Sequence, residues 1–321
     1  MKRILAILAI PFIVTACGSE SESQPELETT GFTRSLSLSG DYIASFNMTD
    51  VRNASADITV TIIEADGDAP IDTDVTITPL MQMVSGMNHD TPMSSRSGSL
   101  DENNQFKTKA YFLMPSGAEL GEWSFKVAFD GEEDTFSVDV DMMMSDREVL
   151  LGSSDKISSM GNEVGRPYLL YNETRHVTDS MNSFTVYIAA RETMMKHTAL
   201  VDGITLVGEA EMDMSGSMGM SLTSSSMMAM SDYDLMVSSV LVEICAAECD
   251  TENNWITASA VADKAGQYKA TGLSLAGDET DEVNVRLAVN SEQKMKGDST
   301  EYATFYFSDE ASASGSTMHS M

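Results

Sequence analysis

Basic side chains are scarce. The chain has 19 Lys and Arg against 50 Asp and Glu, a formal net charge of −31 over 321 residues. A chain this acidic excludes nucleic-acid binding through backbone phosphates, which needs clustered Lys and Arg. It is also repelled by anionic lipid, so a membrane attachment must be covalent. Cysteine is scarcer still, with three residues in all. Long apolar runs are missing. Ile4–Val14 covers eleven residues, too few to span a bilayer as a mature helix. No stretch carries a convincing helical period. The chemistry of an enzyme is missing too: there is no Gly-rich phosphate loop, no Ser/His/Asp arrangement with local context and no acid pair in an apolar frame. The expectation is a non-enzyme with no catalytic residues.

What is present begins with an address. Lys2 and Arg3 precede the apolar run, and Val14-Thr15-Ala16-Cys17 follows it. Charge, apolar length and small residues make this a secretory signal. Its ending resembles the bacterial lipoprotein signal, which implies that Cys17 is lipidated and begins the mature chain, held to the membrane by acyl chains. No Asp follows the cysteine, which favours the outer membrane, facing the periplasm. Residues 18–33 are rich in Ser, Glu, Gln and Pro and read as a flexible tether.

The remaining length suggests two domains. Between Leu36 and Val140, short alternating strands are separated by turns such as Ala65-Asp66-Gly67-Asp68 and Asp130-Gly131. A second set runs from Tyr168 to Phe307. Strands at this spacing predict all-β sandwiches. The expected division is a first β-sandwich at 34–144, a linker at 145–165, a second β-sandwich at 166–310 and a disordered tail at 311–321. Gln105-Phe106-Lys107-Thr108-Lys109-Ala110 matches Gln267-Tyr268-Lys269-Ala270-Thr271-Gly272, and an alternating strand follows each. A Met-rich stretch lies upstream of both, which points to duplication. Trp123 and Trp255 are expected in the cores. Cys245 and Cys249 sit four apart, as a disulfide in an oxidising compartment or as a thiolate metal pair.

Methionine, at 25 residues, is the compositional outlier. Met81–Met93 holds four methionines and His89, and Met212–Met230 holds seven methionines. Met81, Met83, Met87, His89 and Met93 are all odd-numbered. Met212, Met214, Met218 and Met220 are all even. An extended chain would therefore put either set on one face, and apolar packing then accounts for them. Against packing stand Ser85-Gly86 and Asn88–Pro92, which favour turns over strand interiors, and the presence of His89. Thioether and imidazole are ligands for Cu(I) or Ag(I). The candidate ligands are Met81, Met83, Met87, His89 and Met93 in the first half, and Met212, Met214, Met218 and Met220 in the second. The second stretch has no histidine of its own, and His197, beside Met194 and Met195, is the candidate to approach it from another loop.

The order Val75–Pro79, Met-rich segment with Asn88-His89, Phe106–Met114 and Trp123–Val127 resembles the YtkA-like/FixH-like domain over roughly Asp68 to Val140. The resemblance implies an immunoglobulin-like sandwich and copper handling outside the cytoplasm. It places Met83, Met87 and His89 on the family's loop, Met114 on its strand and Trp123 on its tryptophan. The proline usual between the loop methionines is absent.

Two functions follow as expectations. One is a lipid-anchored envelope protein that binds Cu(I) for storage, tolerance or delivery, with a metal-delivery or envelope protein as partner. The other is a structural or interaction lipoprotein whose methionines are packing or an oxidant sink.

Overall fold

Alternation is the local rule. In the strand Asp74–Met83, Val75, Ile77, Pro79 and Met81 are buried, while Asp74, Thr76, Thr78 and Gln82 face solvent, because successive side chains of a strand point to opposite faces. Buried faces of this kind must pair into layers. The computed structural model describes residues 32–37, 42–49, 54–64, 73–141, 147–159, 162–176, 182–193, 196–208, 233–246, 248–275 and 282–306. They form an almost wholly β structure.

The first half contains β1 (Phe32–Ser37), β2 (Tyr42–Met48), β3 (Ser55–Glu64), β4 (Asp74–Met83), β5 (Asn88–His89), β6 (Ser97–Ser99), β7 (Gln105–Tyr111), β8 (Gly121–Phe129) and β9 (Glu132–Val138). One antiparallel sheet has the order β1-β2-β3-β7. The other has β5-β4-β8-β9, with β6 also on β4. Their inner faces pack around Phe46, whose ring lies 4.8 Å from Phe136 and 5.5 Å from Phe125. Trp123, expected in this core, is fully buried.

The second half contains β10 (Arg147–Ser159), β11 (Asn162–His176), β12 (Ser183–Thr193), β13 (Lys196–Ala199), β14 (Thr205–Leu206), β15 (Leu235–Met236), β16 (Val240–Cys245), β17 (Ile256–Thr257), β18 (Ser259–Ala260), β19 (Gln267–Thr271), β20 (Glu282–Val289), β21 (Glu292–Gln293) and β22 (Ala303–Tyr306). Their main sheets run β10-β11-β12-β19-β18 and β17-β16-β20-β21.

One expectation needs correction. Residues 147–159 and 162–165, expected in the linker, are paired strand. β10 pairs with β11 from Arg147↔Tyr171 to Ser159↔Asn162. The Ser/Gly content that suggests a linker belongs to a bulge inside β10 and to the hairpin's end.

The pairing order repeats. β7 joins β3 as β19 joins β12, and hairpin β8–β9 lies beside β4 as β20–β21 lies beside β16. The duplicated Gln-aromatic-Lys segments are thus equivalent strands. The two Met-rich stretches are not equivalent. Met81–Met93 begins in the last residues of β4 and runs past it, whereas residues 212–230 fall in the chain between β14 and β15. The second half's counterpart of the β4–β5 turn lies between β16 and β17, and it holds the Cys245–Cys249 disulfide, with Cα atoms 5.8 Å apart.

The halves meet across the sheet that contains β11 and β12. Tyr168 and Leu170 of β11, with Phe184, Val186, Ile188 and Ala190 of β12, face the second core. The residues between them, Leu169, Tyr171, Tyr187 and Ala189, face the first. Tyr187 stacks on Tyr111 of β7 at 3.6 Å between centroids and 4° between planes, and Tyr171 lies 5.3 Å from Tyr111. Burial pushes all three phenols above their ordinary pKa. At the rim, Glu173 accepts from Lys109 at 3.0 Å and from Gln267 at 3.1 Å.

Replacing Tyr187 with Ala should cost about 3–5 kcal/mol by denaturant unfolding, the range for emptying an aromatic core site. Tyr306→Ala, at a ring 68% exposed, should change stability by less than about 0.5 kcal/mol.

Candidate functional site

The Met81–Met93 segment is a hairpin and a crossover. Met83 N–H donates to Met87 O, and Gly86 N–H donates to Met83 O, both at 2.9 Å. Gly86 has φ +82°, as a three-residue turn closing on a left-handed position requires. Beyond the turn, Met81 pairs with His89 and Gln82 with Asn88. On the other side Met81 pairs with Trp123 and Met83 with Gly121. A Cβ at Gly121 would lie 2.2 Å from Gln82 O, so only glycine lets β8 approach here. The turn chemistry of Ser85-Gly86 is realised, but Met81 and Met83 themselves belong to a strand.

Paired residues of a hairpin share a face. Met81, Met83, Met87 and His89 therefore lie on one side, graded from core to rim. Met81 is fully buried, Met83 and His89 are half-buried, and Met87 is 37% exposed. After β5 the chain leaves one sheet for the other. Met93, 6% exposed, bridges Ala110 beside β7. Met81 and Met93 are packed as core residues. Met83, Met87 and His89 form the accessible end. Met114, which the resemblance puts on a strand, lies instead in a bend past the end of β7; it is half-buried, and its carbonyl accepts from the Trp123 indole at 2.9 Å.

Asp90 anchors this crossover. It is 3% exposed. Its carboxylate accepts from the Arg96 guanidinium, from Thr91 N–H and from the backbone N–H of His197. Burial raises the Asp90 carboxyl above its ordinary pKa, and Arg96 opposes the rise. The contact with His197 brings β13 of the second half against the Met/His hairpin. His197 is 7% exposed, and its Nδ1 has no hydrogen-bond partner. Burial, then Arg191, Arg96, His89 and Arg147, pushes its imidazole down to about 3. Burial and Arg191 also lower His89. Two imidazoles held neutral thus lie within electrostatic reach of each other, one from each half.

Sequence reasoning offered His197, through its neighbours Met194 and Met195, to the second Met-rich stretch and not to this hairpin; Met194 and Met195 lie outside the described residues. It missed Asp90, Arg96, Arg147 and Arg191. Arg191 faces His197 in the β12–β13 register, a pairing with no local signature. Cys17, Met212, Met214, Met218 and Met220 also lie outside the described residues. Among the described residues, no group of three or more His, Cys, Asp and Glu gathers as a metal ion would need. Any metal held at this hairpin would draw on thioether sulfur. The thiolate-pair alternative for Cys245 and Cys249 gives way to the disulfide, which leaves no free thiolate.

Met81→Ala should cost about 2–5 kcal/mol of stability, as an emptied core site does, whereas Met87→Ala should stay within about 0.5 kcal/mol. Paired denaturation curves measure both. His197 adds a pH dependence. Its folded pKa lies below its unfolded value of 6.5, so below pH 6.5 only the unfolded chain takes up the proton. Stability should then fall by up to about 1.4 kcal/mol per pH unit, and the loss should end near pH 3. The slope between pH 6.5 and 5 should be shallower in His197→Gln. Compared with known proteins, the chain matches no family model and no curated protein.

Proposed function

We propose that the protein is a non-catalytic, lipid-anchored envelope protein that binds Cu(I) or Ag(I) at the Met83–Met87–His89 end of the hairpin, for storage, tolerance or delivery. One observation carries the reading. Two methionines and a neutral histidine occupy one rim face, and the buried His197 beside them has an unused ring nitrogen. Neutral imidazole and thioether are the donors a soft ion prefers, and neither is lost to oxidation as a disulfide. The surrounding charge favours a monovalent ion. Arg96, Arg147 and Arg191 all act on His197, and repulsion by fixed positive charge doubles for a divalent ion. The lipid anchor at Cys17 and the outer-membrane address rest on the leader alone, and the YtkA-like resemblance adds copper handling as an expectation.

A second reading has its own support. Met81 and Met93 are buried, as methionines used only for packing would be. On that reading the chain is a structural or interaction lipoprotein for an envelope partner, and exposed Met87 is an oxidant sink.

Replacing Met83, Met87 and His89 together with Ala should weaken Cu(I) binding at least tenfold, measured by competition with a chromophoric Cu(I) chelator. An unchanged affinity in a folded triple variant would sink the copper reading and leave the second.

A further inference from the structure

A separate cluster in the second half does not depend on the metal reading. Four residues of β10, Gly152–Asp155, stand opposite a single residue of β11. The register passes from Leu151↔Pro167 to Lys156↔Gly165. This bulge folds inward. A Cβ at Gly152 would collide with the Asp155 carboxylate, so glycine makes the room. Asp155 meets Lys294, which follows β21. Lys294 Nζ lies 3.0 Å from Asp155 Oδ1 and 2.7 Å from Glu292 Oε2. The side chains of Lys294 and Asp155 are 1% and 2% exposed. The Tyr168 hydroxyl donates to Asp155 Oδ2. Glu292 is gripped from the same bulge by the backbone N–H groups of Ser153 and Ser154, at 2.9 and 2.8 Å, and by both hydroxyls.

We propose that Lys294 and Asp155 condense to a side-chain amide, an isopeptide cross-link formed after folding by the chain itself. An amine and a carboxyl fixed in contact gain a large effective concentration. The dry site keeps out the water that would reverse the condensation. The ammonium proton passes to Asp155, giving a neutral amine and a carboxylic acid. The amine nitrogen attacks Cγ and forms the N–C bond. Tyr168 stabilises the charge that develops on Oδ2, as an oxyanion donor does. Glu292 takes the proton from nitrogen and delivers it to Oδ1. The Cγ–Oδ1 bond breaks, and one water leaves. Burial alone would raise the Glu292 carboxyl, but the hydrogen bonds from Lys294, Ser153 and Ser154 hold it well below the usual carboxylate range, so it is in the carboxylate form, and its 2.7 Å contact with Nζ places it to take the proton.

The bond would tie the bulge of β10 to the end of hairpin β20–β21 across 139 residues. The Cys245–Cys249 disulfide closes only four. A cross-link over so long a loop restricts the unfolded chain far more.

Peptide mass spectrometry of the folded full-length chain tests this. The expected product is a branched peptide joining the Asp155 and Lys294 segments, one water lighter than their sum. It should be absent from Lys294→Arg and Asp155→Ala. Only unlinked peptides from the folded wild-type chain would overturn the proposal, and that readout stands whether or not a variant folds. In Glu292→Gln, refolded and followed over time, ligation should slow on the order of a hundredfold. An unchanged rate would overturn the assigned proton transfer.

Discussion

A strand buried on both faces must find a core on each side, and β12 is such a strand. Eight successive residues from Ser183 are buried. Even-numbered Phe184, Val186, Ile188 and Ala190 complete one core, and odd-numbered Tyr187 and Ala189 complete the other. Apolar area removed from water is worth about 25 cal/mol per Å², so neither half can withdraw from β12 without exposing a large apolar face. The stack of Tyr187 on Tyr111 then fixes which surface of the first half is applied. At its edge Glu173 accepts from Lys109 and from Gln267.

That docking creates the histidine environment. His89 belongs to the first half and His197 to the second, and His89 acts on His197 only because β13 lies against the crossover after β5. Asp90 holds the junction through a side-chain bond to Arg96 in its own half and a backbone bond from His197 in the other. A soft-ion site at the rim would therefore read the contact between halves, since loosening the docking would let His197 recover water and charge.

Much of the fold was legible because strand alternation is local. Val75, Ile77 and Met81 alternate with polar residues whatever lies beyond them, and Gln105–Ala110 and Gln267–Gly272 became equivalent strands. The segment 145–165 was not legible. Gly152-Ser153-Ser154-Asp155 has the composition of a linker, and its role depends on Glu292 and Lys294, which arrive from far along the chain. The site divides the same way. The odd parity of Met81, Met83, Met87 and His89 predicted a common face, and the hairpin register supplies one. Parity does not say how deep each residue sits, and only packing against Trp123 separates core Met81 from rim Met87. Arg191 and Arg147 had no readable signal, because their relation to His197 exists only once β10, β12 and β13 join one sheet.

The repeated pairing order sharpens what distinguishes the halves. The same turn, after β4 in one and after β16 in the other, carries Met83 and Met87 in the first and a disulfide in the second. A frame used twice gives both copies the same strand scaffold, so the difference at this turn is not demanded by the fold. The second copy closes the position covalently and backs it with Trp255, whose indole donates to Cys249 O at 2.9 Å and whose ring lies 3.9 Å from the Arg286 guanidinium. The first copy leaves it open, with thioethers at the rim and no covalent staple. A turn needing only stability is served by the closed version. The open version gives up that constraint and keeps polarisable donors accessible, which is the arrangement a ligand-binding end requires.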